Sequence, residues 1–159
     1  MNFELSEEQK MIQQNVERFV QDNYDLPKRV ELSSQDPGYS KDYWNSMAEL
    51  GWLGLPFNEE DGGFGGNQID TLVIMEQFGK GLVLEPFLAN VVLGGGAIQM
   101  GGSEELKNEM LSSLIEGSKQ LTLAYAEQQS RFDLEDVATS ARKEGEKYII
   151  NGQKSMVLN

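Results

Sequence analysis

The sequence predicts a mostly α protein, a helical bundle followed by the first strands of a truncated β-domain. Three observations carry this. Ser6, Ser40 and Ser103 each stand immediately before a run of apolar residues with helical spacing. The segment from Gln68 to Gly81 is apolar nearly all the way round from Leu72 to Met75, the pattern of a helix inside a bundle. The strand signals collect in the last quarter, after Gly117.

Taken in order, "LSEEQKMIQQNVERFVQDNY" opens with Ser6 and has Gln9 three residues on, a capping box, with Glu7 and Glu8 in the first turn. Met11, Ile12, Val16, Phe19 and Val20 fall within one half of its helical wheel. "DLPKRVELSSQDPGYS" has two prolines and room for at most one short helix. After Ser40, the residues Tyr43, Trp44, Met47 and Leu50 share a face. Glycine density and Pro56 make "GWLGLPFNEEDGGFGGN" a structured loop. It lacks the Lys and Ser/Thr of a P-loop and reads as a turn, and Glu59, Glu60 and Asp61 read as a solvated rim. Trp44 and Trp52 are expected in the core. Pro86 occupies a first helical position ahead of Leu88, Val91, Val92 and Leu93, and then come Gly94, Gly95 and Gly96. Three helical glycines cost roughly 1 kcal/mol each relative to alanine. Close approach of another backbone or of a ligand would offset that, and the sequence leaves both open. Ser103 caps "SEELKNEMLSSLIEG". Beyond it, "LTLAYA" suits a strand, "VATSARK" alternates, and Asn151-Gly152 is a strong hairpin or bulge signal. The strands have no second layer and an open edge, so the chain reads as a fragment or as the ordered part of something longer.

Composition narrows the chemistry. With no histidine and no cysteine, triads, thiol nucleophiles and the usual zinc sites are excluded. A net charge of -13 argues against a nucleic-acid binder. No segment approaches a membrane span and no signal peptide opens the chain, so the default expectation is a cytoplasmic protein.

The order of these segments resembles the N-terminal part of the acyl-CoA dehydrogenases across essentially all 159 residues. The opening "LSEEQKMIQQNVERFV" matches, and "MAELGWLGLPFNEEDGGFGG" stands where the family has "LAELG" and "LP.EYGG.G". "GGSEELKNEMLSSLIEGSKQLTLAYAE" follows the family's "G..eqK...L..l..G" helix. "AEQQSRFD" and "NGQKSMVLN" stand at the flavin-domain motifs "TEP.AGSD" and "NG.K.WITN". The resemblance implies a helical domain over 1–120 and the incomplete start of a middle β-barrel domain over 121–159. It implies FAD as cofactor, an acyl-CoA substrate desaturated between Cα and Cβ, and electron transfer to an electron-transfer flavoprotein. The family's glutamate base lies in a later domain, so no catalytic residue is assigned here, and the 159 residues alone are expected to be inactive.

By the same resemblance the cofactor-binding positions are Tyr125 and Ala126 through their backbone amides, with Phe132, Met156 and Leu158. Ala126, Met156 and Leu158 have lost the family's hydroxyl or aromatic group, and Phe132 adds bulk where a small residue is usual. Losing three hydroxyl contacts, at roughly 0.5 to 1.5 kcal/mol each, weakens binding by about 10- to 1000-fold or more. FAD is therefore expected to be bound weakly, shared across subunits or absent. "SRFDLEDVATSAR" resembles the small-subunit branch typified by pimeloyl-CoA dehydrogenase, which pairs with a paralogous large subunit. This makes a homo- or hetro-oligomer the expected state. Ala89, Asn90 and Leu93 are placed toward the acyl tail, with bundle packing as the competing role.

Overall fold

The structure, a computed structural model, describes residues 4–158. The chain divides into two compact units, Met1–Leu121 and Thr122–Asn159.

The first unit is helical. It contains α1 (Glu7–Asn23), α2 (Leu26–Ser33), α3 (Lys41–Glu49), a short 3-10 turn (Glu59–Asp61), α4 (Gln68–Gly81), a π-helical segment (Leu88–Gly95) that continues as α5 (Gly96–Gly101), and α6 (Glu104–Ile115). The expected caps form at α1, α3 and α6, where the Ser6, Ser40 and Ser103 hydroxyls accept from the third amide of each helix. Gln9 completes the capping box of α1, and Asn67 with Asp70 forms a second box on α4.

α1 and α4 lie parallel with a constant sequence offset. Gln9 Nε2 donates to Asp70 Oδ1 at 2.9 Å near the helix starts, and Gly81 lies so close to Val20 near their ends that a Cβ there would strike it. Just beyond, the Tyr24 hydroxyl donates to the Glu85 carboxylate. All three pairs are 61 residues apart in sequence. Glu85 also accepts from the Ser40 amide at 3.1 Å, so this buried carboxyl joins the end of α1, the cap of α3 and the approach to the π-helical segment. Burial pushes both the Glu85 carboxyl and the Tyr24 phenol above their ordinary values.

The core gathers Val16, Val20, Trp44, Met47, Trp52, Leu53, Phe57, Ile74, Phe78, Phe87, Leu111 and Leu114. Both tryptophans are buried as expected, and the Trp44 indole donates to the Gly117 carbonyl at 3.0 Å. Several sequence expectations are corrected. Met11 is 58% exposed because the buried stripe of α1 narrows to Val16 and Val20. Leu50, at the end of α3, and Leu72, on the outer face of α4, are exposed too, so α4 is not enclosed on all sides. Asp61 is buried rather than part of a solvated rim, facing the Asn58 side-chain amide at 3.5 Å. Pro86 precedes the helical run instead of starting it.

Within the glycine triplet, Gly95 is the position that close packing requires. A Cβ on Gly95 would collide with the Phe57 ring and with Leu114, whereas one on Gly96 would meet nothing within 4 Å. The turn that carries Gly95 is π-helical, wider than an α turn and rare in helices.

The second unit is a two-stranded antiparallel hairpin, β1 (Ser140–Glu144) and β2 (Lys147–Asn151), in register from Ser140 opposite Asn151 to Glu144 opposite Lys147. Its two-residue turn is Gly145-Glu146, with Gly145 at φ +63°. Asn151-Gly152, read from sequence as a hairpin or bulge signal, is not the hairpin turn: Asn151 ends β2 opposite Ser140 and Gly152 follows the strand. Gly152 is needed because a side chain there would run into Thr139. Thr122–Ala126 forms no ladder among the described residues, although "LTLAYA" reads as a strand, because no neighbouring strand pairs with it.

Candidate functional site

Glu127 organises the second unit. It is 4% exposed, and its carboxylate accepts from Lys154 Nζ at 2.7 Å, from Gln129 Nε2 at 2.8 Å, and from the Ala138 and Thr139 amides at 2.8 and 3.2 Å. The Lys154 ammonium, followed by the donors of Thr139 and Gln129, holds this carboxyl well below the usual carboxylate range. Lys154 also donates to the Tyr125 carbonyl at 3.3 Å, and the Ser155 amide donates to the Ala126 carbonyl at 2.9 Å. Residues 125–127 are thereby tied to 154–155 and to the chain entering β1. Sequence reasoning missed Glu127 and Lys154 as organisers, since a pair 27 residues apart leaves no local pattern.

These ties frame a cleft of about 890 Å³ within the unit. Ala126, Phe132 and Met156 line it, three of the five positions read from sequence, while Tyr125 and Leu158 do not. Phe132 is 100% exposed and Met156 is 88% exposed. Tyr125 is half-exposed beside the cleft-lining Ala126, and Leu158 gives its carbonyl to the Thr122 hydroxyl at 2.6 Å. Glu127, Arg131 and Thr139 also border the cleft.

A flavin ring asks for donors at one edge and apolar surface over its face. Both are present. Among the described residues the Tyr125 and Ala126 amides donate to no acceptor, and Ala126, Phe132 and Met156 supply apolar lining. The side chains at the five candidate positions offer the ring no hydroxyl except that of Tyr125, which lies off the cleft. What these residues offer a flavin ring is apolar surface and free backbone amides rather than side-chain hydrogen bonds.

Of the residues read toward the acyl tail, Ala89 and Asn90 are buried in the π-helical segment and Leu93 is half-buried. Asn90 is 1% exposed, and its amide is engaged inside the helical unit, donating to the Pro86 carbonyl at 3.1 Å and accepting from the Leu121 amide at 2.5 Å. No cluster of metal-binding side chains occurs among the described residues.

A capped six-helix unit with a glycine-built loop, followed by a unit built on a two-stranded hairpin, defines the class: a mostly helical protein with a small β-element. The family profile described as "Acyl-CoA dehydrogenase, N-terminal domain" matches residues 6–118, and the chain belongs to the acyl-CoA dehydrogenase family. A probable acyl-CoA dehydrogenase of Bacillus subtilis, YngJ, is 32% identical over all of this chain and 42% of its own length. An acyl-CoA dehydrogenase from Bacillus anthracis, solved in complex with FAD, superposes with a TM-score of 0.83 at 31% identity, over 97% of this chain and 27% of that one. A chain solved in work on the electron transferring flavoprotein of Acidaminococcus fermentans superposes with a TM-score of 0.82 at 30% identity, over 99% of this chain and 41% of that one. The chain thus spans less than half the length of these relatives. No helix among the described residues is long and apolar enough to cross a membrane.

Proposed function

We propose that these residues form the N-terminal portion of a FAD-dependent acyl-CoA dehydrogenase, which introduces a Cα–Cβ double bond into an acyl-CoA thioester and passes the electrons to an electron-transfer flavoprotein. The observation that carries this is the cleft of the second unit, where Ala126, Phe132 and Met156 meet beside two uncommitted amides in a chain of this family. The relative solved with FAD supports the cofactor, and the chain solved in the flavoprotein work supports the acceptor.

In this reading the Tyr125 and Ala126 amides hold one edge of the ring, Phe132 and Met156 shield it from water, and Leu158 ties its carbonyl to Thr122 outside the cleft. Glu127 and Lys154 keep those amides in place. Ala89 and Leu93 face the acyl tail, with Asn90 fixing the helix that carries them. A bound flavin supplies the acceptor for the β-hydride. The α-proton goes to a base outside these residues, and no carboxylate of this chain is given that role.

A second reading is favoured by the missing hydroxyl and aromatic contacts at Ala126, Met156 and Leu158: a partner subunit that supports the flavin site of a paralogous large subunit. Visible absorbance of the full-length protein, purified alone and after co-expression with a paralogous dehydrogenase, separates the two. Flavin bands in the solo preparation support the self-sufficient enzyme, and bands only in the co-purified complex support the partner subunit. Colourless protein in both preparations would sink the flavin proposal.

A further inference from the structure

The cleft holds one more chemical feature. Arg131 is the cation that lines it, beside the amide side chains of Gln128 and Gln153. Its guanidinium makes no ion pair or hydrogen bond among the described residues, although Asp133 and Glu135 are two and four positions away. Other cations of the same unit are engaged: Lys154 with Glu127, Arg142 with Glu144, and Lys143 over the Tyr148 ring.

The backbone places Arg131 at a cost. It sits at φ +50°, a left-handed conformation that side chains other than glycine rarely adopt, and it stands where the family motif "TEP.AGSD" has its glycine. The turn is held on both sides. The Ser130 amide donates to the Glu127 carbonyl at 3.2 Å, the Ser130 hydroxyl donates to the same carbonyl at 2.9 Å, and the Asp133 amide donates to the Ser130 carbonyl at 2.8 Å. Met156, at φ +52°, lines the same cleft, so two left-handed side chains border one space. Non-glycine residues in such conformations gather at ligand sites, where the surroundings fix them.

Charge is permissive. Residues 122–159 carry six acids and five bases, leaving nearly all of the chain's net charge of -13 on the helical unit. An anion entering this cleft meets one uncommitted guanidinium, whose planar fork matches phosphate oxygens.

We propose that Arg131 is a binding residue for the phosphate or pyrophosphate of a nucleotide cofactor. The identity of that nucleotide rests on the proposed function and has two sources, FAD and the CoA moiety of the substrate. The test uses the full-length protein, with its partner if co-purification is required, and compares wild type with Arg131→Gly and Arg131→Lys. Glycine suits the left-handed backbone, so Arg131→Gly is expected to be at least as thermally stable as wild type, which separates binding from folding. FAD, riboflavin and CoA are titrated separately into protein stripped of flavin.

If FAD is the source, Arg131→Gly weakens FAD by about 10- to 100-fold, as expected for lost charged hydrogen bonds, and leaves riboflavin and CoA unchanged. If CoA is the source, the loss falls on CoA alone. In either case Arg131→Lys recovers part of the affinity, and added salt weakens wild type more than Arg131→Gly. Equal affinity of wild type and Arg131→Gly for both nucleotides overturns the role of Arg131 while leaving the proposed function standing. A wild-type protein that binds neither overturns both.

Discussion

At the scale of single residues, Glu127 carries a pH dependence whose sign is fixed. Its carboxyl lies below the ordinary range when folded, mainly through Lys154. The stability it contributes is therefore complete above the unfolded value of about 4.3, and it is lost as pH falls through the lower folded value. In an NMR titration of the full chain, the Ala138 and Thr139 amides, which donate to Glu127, are expected to shift only well below that unfolded value. Lys154→Ala should move the midpoint up toward it, and an unmoved midpoint would detach Lys154 from the effect. Little of this was legible in the sequence. The residues that the resemblance picked out, such as Ala126 and Met156, do border the cleft, but the ion pair behind them is invisible to periodicity. Buried acids such as Asp61 and Glu85 were hidden for the same reason, since their partners come from tertiary packing.

At the scale of elements, Gly95 and Gly96 make a matched pair. Gly95→Ala forces a methyl against Phe57 and Leu114, and overpacking of this kind costs about 1–3 kcal/mol. Gly96→Ala enters open space in a helical backbone at φ -58° and should be neutral or stabilise by up to about 1 kcal/mol. Urea unfolding followed by tryptophan fluorescence checks both, and similar effects at the two positions would refute packing as the reason for glycine at position 95. Helix starts were the most legible elements, because Ser6, Ser40 and Ser103 carry their own hydrogen-bond logic. The π-helical turn was not, since helical spacing in the sequence does not distinguish it from an α turn. The hairpin turn was misplaced because Asn151-Gly152 outranks Gly145-Glu146 on turn propensity, yet pairing places the turn between Glu144 and Lys147.

At the scale of the whole molecule, the two units differ in what holds them. The helical unit has a continuous aromatic and aliphatic core, whereas every residue of β1 and β2 is exposed. Stability is expected to be distributed accordingly. Native-state hydrogen exchange on the chain should show β1 and β2 amides exchanging through much smaller openings than the amides of α1 and α4. Equal protection in both units would contradict this. The sequence conveyed the end of the helical pattern because the apolar period changes after Gly117, and the helical core because its stripes are long. It could not convey how deep each stripe runs, and the exposure of Met11, Leu50 and Leu72 records that limit.

The parallel pairing of α1 and α4 carries an electrostatic consequence. Two helices running side by side in the same direction bring their partial positive ends together, an arrangement that repels. Asp70 stands at that junction, accepting from the Asn67 amide at 2.7 Å on its own helix start and from Gln9 on the other. One carboxylate thus serves as counter-charge to two helix dipoles, and Glu7 and Glu8 add negative charge to the first turn of α1. What reads along the chain as two separate capping boxes is, in the folded protein, a single neutralising joint.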